Sequence, residues 1–253
     1  FFRRSSSIFW YLLFSVATID SVSASLISMT LPQLLQMILA AIFSVYPIAK
    51  PQQVVYQNNS FNYLIFEPSK INLIPNWDQP KKFKDVMLEE KCQFGTNGGF
   101  YTTQNKPIGL VKANEVILNP SQNNRLFNGY VSDQGVGYDL PLDANWVLQT
   151  GPVLWNNNLP IKVNTTNDKS ARRGVAITTT DNKLYFAIFY NPQAPVLGPY
   201  LNDIPGILDK LGQLEQLEIL SAINLDGGGA SAFYDGKTFL EESDPVGTVL
   251  CAK

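Results

Sequence analysis

Three consecutive glycines, Gly227-Gly228-Gly229, stand directly behind a short apolar run and one carboxylate, Asp226. The run, Ile219-Leu220-Ser221-Ala222-Ile223-Asn224-Leu225, has the length of a strand. Glycine loses more conformational freedom on folding than any other residue. A chain that keeps three in a row therefore needs positive φ or a close backbone approach there. The fold must end a strand at this point and bend it sharply. Such a loop can aim successive N–H groups into a concave anion-binding nest, with Asp226 beside it as acid or base. A tight turn that Asp226 merely caps gives the same pattern, so spacing alone leaves both readings open.

The chemistry available to that loop is bounded by an absence: the 253 residues include no histidine. Histidine triads, histidine bases and histidine-containing metal sites are excluded, and acid–base work falls to Asp, Glu, Tyr, Lys or Cys. A formal net charge of −2 without any basic run argues against a nucleic-acid groove. Cys92 and Cys251 are too few for a disulfide scaffold or a zinc cluster. They pair if the chain is exported; a free thiol buried beside Phe94 is the alternative.

Arg3-Arg4, the apolar run Ile8 to Ile19 and then Val22-Ser23-Ala24 follow the order of a signal peptide. A second apolar segment, Leu31 to Ala49, is interrupted by Gln33, Gln36 and Pro47 and comes near the ~20 residues of a membrane span. A start at Met29 would make this second segment the export signal, and a helix at the domain edge is the structural alternative. Residues 1–50 thus read as a signal or membrane-anchor region and residues 51–253 as the main domain, entered through Lys50-Pro51-Gln52-Gln53.

Val54-Val55-Tyr56, Tyr63-Leu64-Ile65-Phe66 and Ile71 with Leu73 read as strands, and Pro80 to Glu90 as a helix. Cys92 to Thr96 is a strand ending on Asn97-Gly98-Gly99, a second glycine motif, and a hairpin begins at Lys106. Asn119 to Ala144 reads as a long irregular stretch of the kind that tends to carry function. Trp146 to Trp155 is a strand bent at Gly151-Pro152, where proline demands an edge or a bulge. Val175–Thr178 and Leu184–Phe189 form a hairpin. Asn202-Asp203-Ile204-Pro205 starts a side-chain-capped helix whose apolar face is Ile204, Ile207, Leu208, Leu211, Leu214 and Leu217. Asp235-Gly236 turns a last hairpin. The predicted class is α+β: a mixed, largely antiparallel sheet of hairpin-connected strands, packing helices, motif loops at strand ends, and hydrophobic helical segments at the N-terminus.

Four motifs then stand in a familiar order: Asn97-Gly98-Gly99-Phe100-Tyr101, Gln149-Thr150-Gly151-Pro152-Val153-Leu154, Ala171-Arg172-Arg173-Gly174-Val175-Ala176 and Asn224 to Ser231. Together they resemble the phosphodiester glycosidase family, and its bacterial branch more than its lysosomal one. The resemblance implies hydrolysis of a sugar-1-phosphodiester at the glycosidic bond, in envelope or extracellular glycans. It implies Asp226 as the carboxylate, Arg172 as a phosphate clamp and Asn97 as the residue orienting sugar or phosphate. Gly227, Gly228 and Gly229 would hold the phosphate, with Arg173, Ser231, Gly98, Gly99 and Gly151 as further binding positions. No cofactor is expected, calcium at Asp226 with asparagine side chains being the alternative. The expected partner is a phosphoglycan or sugar phosphodiester and not nucleic acid. The expected location is exported, anchored in the membrane through the N-terminal segment, or secreted or periplasmic. The rival function is binding of an anionic envelope glycan without cleavage.

Overall fold

Asparagine supplies the turns that set this topology. Gln57 and Asn58, Asn114 and Glu115, and Asn157 and Asn158 all have positive φ, as does Asn182. Two such residues in a row make the mirror-image turn whose twist matches antiparallel strands, and asparagine tolerates that conformation best after glycine. The computed structural model describes residues 51–253. The signal-like and apolar segments expected within residues 1–50, with their helices, lie outside the described residues.

Among the described residues, seventeen strands form three sheets. The first runs β1 (Gln52–Tyr56), β2 (Asn59–Phe66), β13 (Leu184–Tyr190), β12 (Arg173–Thr179), β14 (Ile219–Asn224), β10 (Val153–Asn156), β11 (Leu159–Pro160). The second runs β16 (Phe239–Leu240), β15 (Phe233–Tyr234), β4 (Phe94–Asn97), β17 (Thr248–Ala252), β3 (Ile71–Pro75). The third runs β6 (Val116–Asn119), β5 (Val111–Ala113), β9 (Val147–Thr150), β7 (Gly129–Ser132), β8 (Gly135–Gly137). Every pairing between these strands is antiparallel, which corrects the expectation of a mixed sheet.

All three sheets contribute to one core, through Phe186 and Ile223 from the first, Leu250 and Phe233 from the second, and Val131 and Leu148 from the third. The outer face of the first sheet is covered by helix α2 (Ile204–Glu215), whose Ile204, Ile207, Leu208 and Leu211 are buried. Leu214 is 55% exposed, and Leu217 lies past the left-handed Gln216, so the apolar face is shorter than predicted. The helix also lacks the expected side-chain cap; the Asn202 side chain accepts the Thr165 amide instead, at 3.0 Å. Helix α1 (Phe83–Glu89) packs Phe83, Val86 and Met87 against the second sheet and begins later than the predicted Pro80. Cys92 and Cys251 are joined in a disulfide, so the free-thiol alternative falls.

Two further expectations change. The irregular stretch from Asn119 to Ala144 contains the β7–β8 hairpin, hidden because its Gly-Tyr-Val-Ser and Gly-Val-Gly strands show little alternation. Trp146 to Trp155 is two strands, β9 in the third sheet and β10 in the first, with the cis Gly151–Pro152 bond between them. Proline does interrupt the ladder there, and the chain uses the interruption to change sheets. Among the described residues no helix is long and apolar enough to cross a membrane.

Candidate active site

Asp226 sits where the first and second sheets meet, and its backbone is held from both sides. Beyond β14, the Leu225 amide donates to Gly174 O of β12 at 2.9 Å, and the Gly228 amide to Arg172 O at 3.0 Å. Between them the Asp226 amide donates to Gly98 O, just beyond β4, at 3.0 Å. The Asp226 carbonyl accepts Asn97 Nδ2 at 2.8 Å. The other end of the Asn97 amide accepts the Ala232 N–H at 3.0 Å. Asn97 is 1% exposed with both ends committed to backbone, so its work is to fix Asp226 and not to touch a ligand.

The glycines divide into packing and turning positions. The Gly98 amide donates to Thr248 O at 2.8 Å and the Gly99 amide to Thr248 Oγ1 at 3.2 Å. Both residues lie buried beneath the site against β17 and the third sheet. A Cβ on Gly98 would stand 2.2 Å from Thr248 Oγ1, so glycine is required there by close approach. Gly228 has φ +64 and makes the bend that returns the chain toward Ser231. The Gly227 amide donates to Asp226 Oδ1 at 2.8 Å. Gly151 stands apart, wedged against Leu126 O, with its own carbonyl accepting Asn224 Nδ2 at 3.0 Å.

The two arginines face opposite ways, and the one expected as the clamp is the one committed to the backbone. Adjacent strand residues point to opposite faces, and here the inward one is Arg172. It is 2% exposed, and its Nη2 donates to the carbonyl oxygens of Ser231 and Glu241. Burial lowers its pKa to about 10, which still leaves it charged at neutral pH. Arg172 therefore pins the far side of the glycine loop. Arg173 is the one beside Asp226: a Cβ on Gly227 would lie 3.0 Å from Arg173 Nη1. Its Nη2 is held by Asp168 Oδ1 at 3.2 Å and by Lys169 O at 2.9 Å. Ser231 is fully buried, its hydroxyl without a hydrogen-bond partner and its carbonyl taken by Arg172.

Half-buried Asp226 has its carboxyl raised to about pKa 7. Desolvation is the main cause and the negative charge of Asp244 adds to it; the Gly227 N–H and the Arg173 charge pull the other way. A group so poised exchanges a proton readily at neutral pH, which suits an acid, base or nucleophile.

Three neighbours were given no role by the sequence: Tyr101, which closes the first motif, and Glu242 and Asp244, which lie outside all four. Gly229 O accepts the Ser243 and Asp244 amides at 2.8 and 3.0 Å, and Asp244 Oδ2 lies 1.8 Å from where a Cβ on Gly229 would be. Burial holds the Tyr101 hydroxyl protonated, and so do the charges of Asp226, Asp244 and Glu242. Glu242 also takes the Phe83 amide at the start of α1, at 2.8 Å. In the sequence, Glu241-Glu242-Ser243-Asp244 looks like an ordinary solvated run; the contacts with Arg172, Phe83 and Gly229 give it a place. Among the described residues no three His, Cys, Asp or Glu side chains gather as a metal site would need.

The profile of the phosphodiester glycosidase family matches residues 90–252. Comparison with curated proteins finds no match. Among solved structures, the fold is similar to that of a zebrafish catalytic domain, N-acetylglucosamine-1-phosphodiester alpha-N-acetylglucosaminidase auto-inhibited by its pro-peptide. That likeness has a TM-score of 0.58 at 15% identity, over 84% of this chain and 92% of the other. A hypothetical protein from Synechocystis is similar at TM-score 0.56 and 13% identity, over 79% of this chain and 61% of its own. A protein from Burkholderia pseudomallei, described as exported, is similar at TM-score 0.51 and 13% identity, over 76% and 73%.

Proposed function

Because the chain belongs to the phosphodiester glycosidase family, we propose that it hydrolyses a sugar-1-phosphodiester at the glycosidic bond, with Asp226 as the reactive carboxylate. The observation that carries this reading is the placing of Asp226: its backbone is fixed by Gly98 and Asn97, its carboxyl is half-buried, and Arg173 stands beside it.

Ordinary glycosidases need one acid to protonate the departing oxygen and a second carboxylate as base or nucleophile. A phosphomonoester departs as a stabilised anion, so the need for the acid is reduced. Ionised Asp226 removes a proton from water as the water oxygen bonds to the anomeric carbon. The bond from that carbon to the phosphate oxygen breaks, and its electron pair leaves with the phosphate. Arg173 meets the phosphate charge, since Arg172 is spent on the Ser231 and Glu241 carbonyls. Burial, with a smaller contribution from the Asp244 charge, keeps the Asp226 pKa high enough for the carboxylate to act as a competent base.

The setting belongs to the same proposal. A disulfide between two buried cysteines suits an oxidising compartment, and the Burkholderia neighbour is described as exported. Envelope or extracellular phosphoglycans are the substrates such a location offers.

The test is release of free sugar from a sugar-1-phosphodiester by wild type and Asp226→Asn. The variant is expected to lose about 10³-fold or more in kcat while still binding substrate. Undiminished turnover would remove Asp226 from the reaction. Tight binding with no turnover by wild type would favour a glycan-binding protein.

A further inference from the structure

At the other end of the same strands lies a cavity of about 780 Å³ that contains none of the residues of the candidate active site. Strand order fixes the separation. β12 begins at Arg173 beside Asp226 and reaches the cavity through the β12–β13 turn at Asn182 and Lys183. β3 contributes Ile71, Asn72 and Leu73, and Ile71 pairs with Ala252, whereas the site end of β17 is Thr248.

We propose that this cavity is a second binding site, for a neutral glycan. Four asparagines, Asn72, Asn114, Asn145 and Asn182, line it. Each amide offers a donor and an acceptor, which is what a sugar hydroxyl requires. Ile71 and Leu184, both half-buried, add apolar surface for the C–H faces of a ring, while Leu73 and Trp146 line the cavity but are almost fully buried. Trp146 is 4% exposed, and its indole N–H has no protein partner. The volume falls within the range of about 300–1,000 Å³ common for small-molecule sites.

The charges decide against an anion. Glu67, Glu115 and Asp133 face only Lys70 and Lys183 here. Lys183 is moreover drawn to Glu67 at 3.5 Å and to Asp181 at 3.7 Å. A phosphate would meet more negative than positive charge. The walls are also set in advance. Asn114, Glu115 and Asn182 are fixed in left-handed turn conformations. Asn145 is tied to Asp133 Oδ2 through its backbone N–H at 3.2 Å and its side chain at 2.5 Å. Ordered polar groups cost less to engage than flexible ones.

Calorimetric titration of the full chain with maltotetraose, cellotetraose, chitotetraose and mannotetraose, and with polyphosphate as the anionic probe, tests this. At least one neutral oligosaccharide is expected to bind in about the millimolar range or tighter. Asn72→Ala with Asn182→Gly, the glycine keeping the left-handed turn, is expected to weaken it about tenfold or more. Glu115→Gln is a second variant should that pair lower the melting temperature. Asp226→Asn is expected to leave this binding unchanged, which separates it from the reaction proposed above. Binding of polyphosphate alone, no binding of any neutral probe, or binding lost in Asp226→Asn and kept in the cavity variants would overturn the assignment.

Discussion

The pKa of Asp226 is raised chiefly by burial and adjusted by two charges that can be removed one at a time. It stands at about 7, above the ordinary carboxylate range, so ionised Asp226 is lost as pH falls through 7. Asp244 raises it and Arg173 lowers it. Neutralising Asp244 as Asp244→Asn should therefore bring the acid limb of the pH–rate profile to lower pH. Arg173→Gln should move that limb to higher pH, each by roughly 0.5–1 unit. The opposite directions are the diagnostic feature, because a general loosening of the loop would move both limbs alike. The sequence marked Asp226 as a candidate, a lone carboxylate between an apolar run and three glycines, while leaving a capped turn equally open. It did not mark Asp244: an acidic residue thirteen or more positions past the motif carries no sign of where the chain returns. Which of Arg172 and Arg173 faces inward was not legible either, for a related reason. Alternation says that neighbours face opposite ways, but not which way is in.

At the scale of elements, the Gly227–Ser231 loop owes its shape to the strand beside it. Arg172 precedes β12 and fixes the carbonyls of Ser231 and Glu241, while its own carbonyl takes the Gly228 amide. Arg172→Ala would leave two buried carbonyls unpaired and a void the size of an arginine. A loss of about 3–5 kcal/mol in urea unfolding is expected. Arg173→Gln, whose side chain is 14% exposed, should cost no more than about 1–2 kcal/mol. Equal losses would mean that the two arginines share one role. Individual strands and both main helices were readable from periodicity and turn residues. Sheet membership was not, because the period of a strand gives its faces and never its partners. The β9–β10 segment shows this: the break at Gly151-Pro152 was foreseen, the change of sheet was not.

At the largest scale, the disulfide and the support of the candidate site belong to opposite ends of β17. Cys251 binds Cys92, 159 residues earlier, near the end of β17 where Ala252 pairs with Ile71 and Phe94. At the other end Thr248 holds the Gly98 and Gly99 amides, and Val249 pairs with Asn97, so the support of Asp226 is built from hydrogen bonds and not from sulfur. A bridge that closes so long a loop restricts the unfolded chain strongly, by about 2–5 kcal/mol in typical cases. Cys92→Ala with Cys251→Ala should lose that much in urea unfolding, and wild type unfolded under reductant should match it. Well below the melting temperature the double variant should keep near-native kcat and KM on the phosphodiester. A fall in kcat at full foldedness would show that the strain of losing the bridge travels along β17 to Thr248, and that the two ends of the strand are coupled.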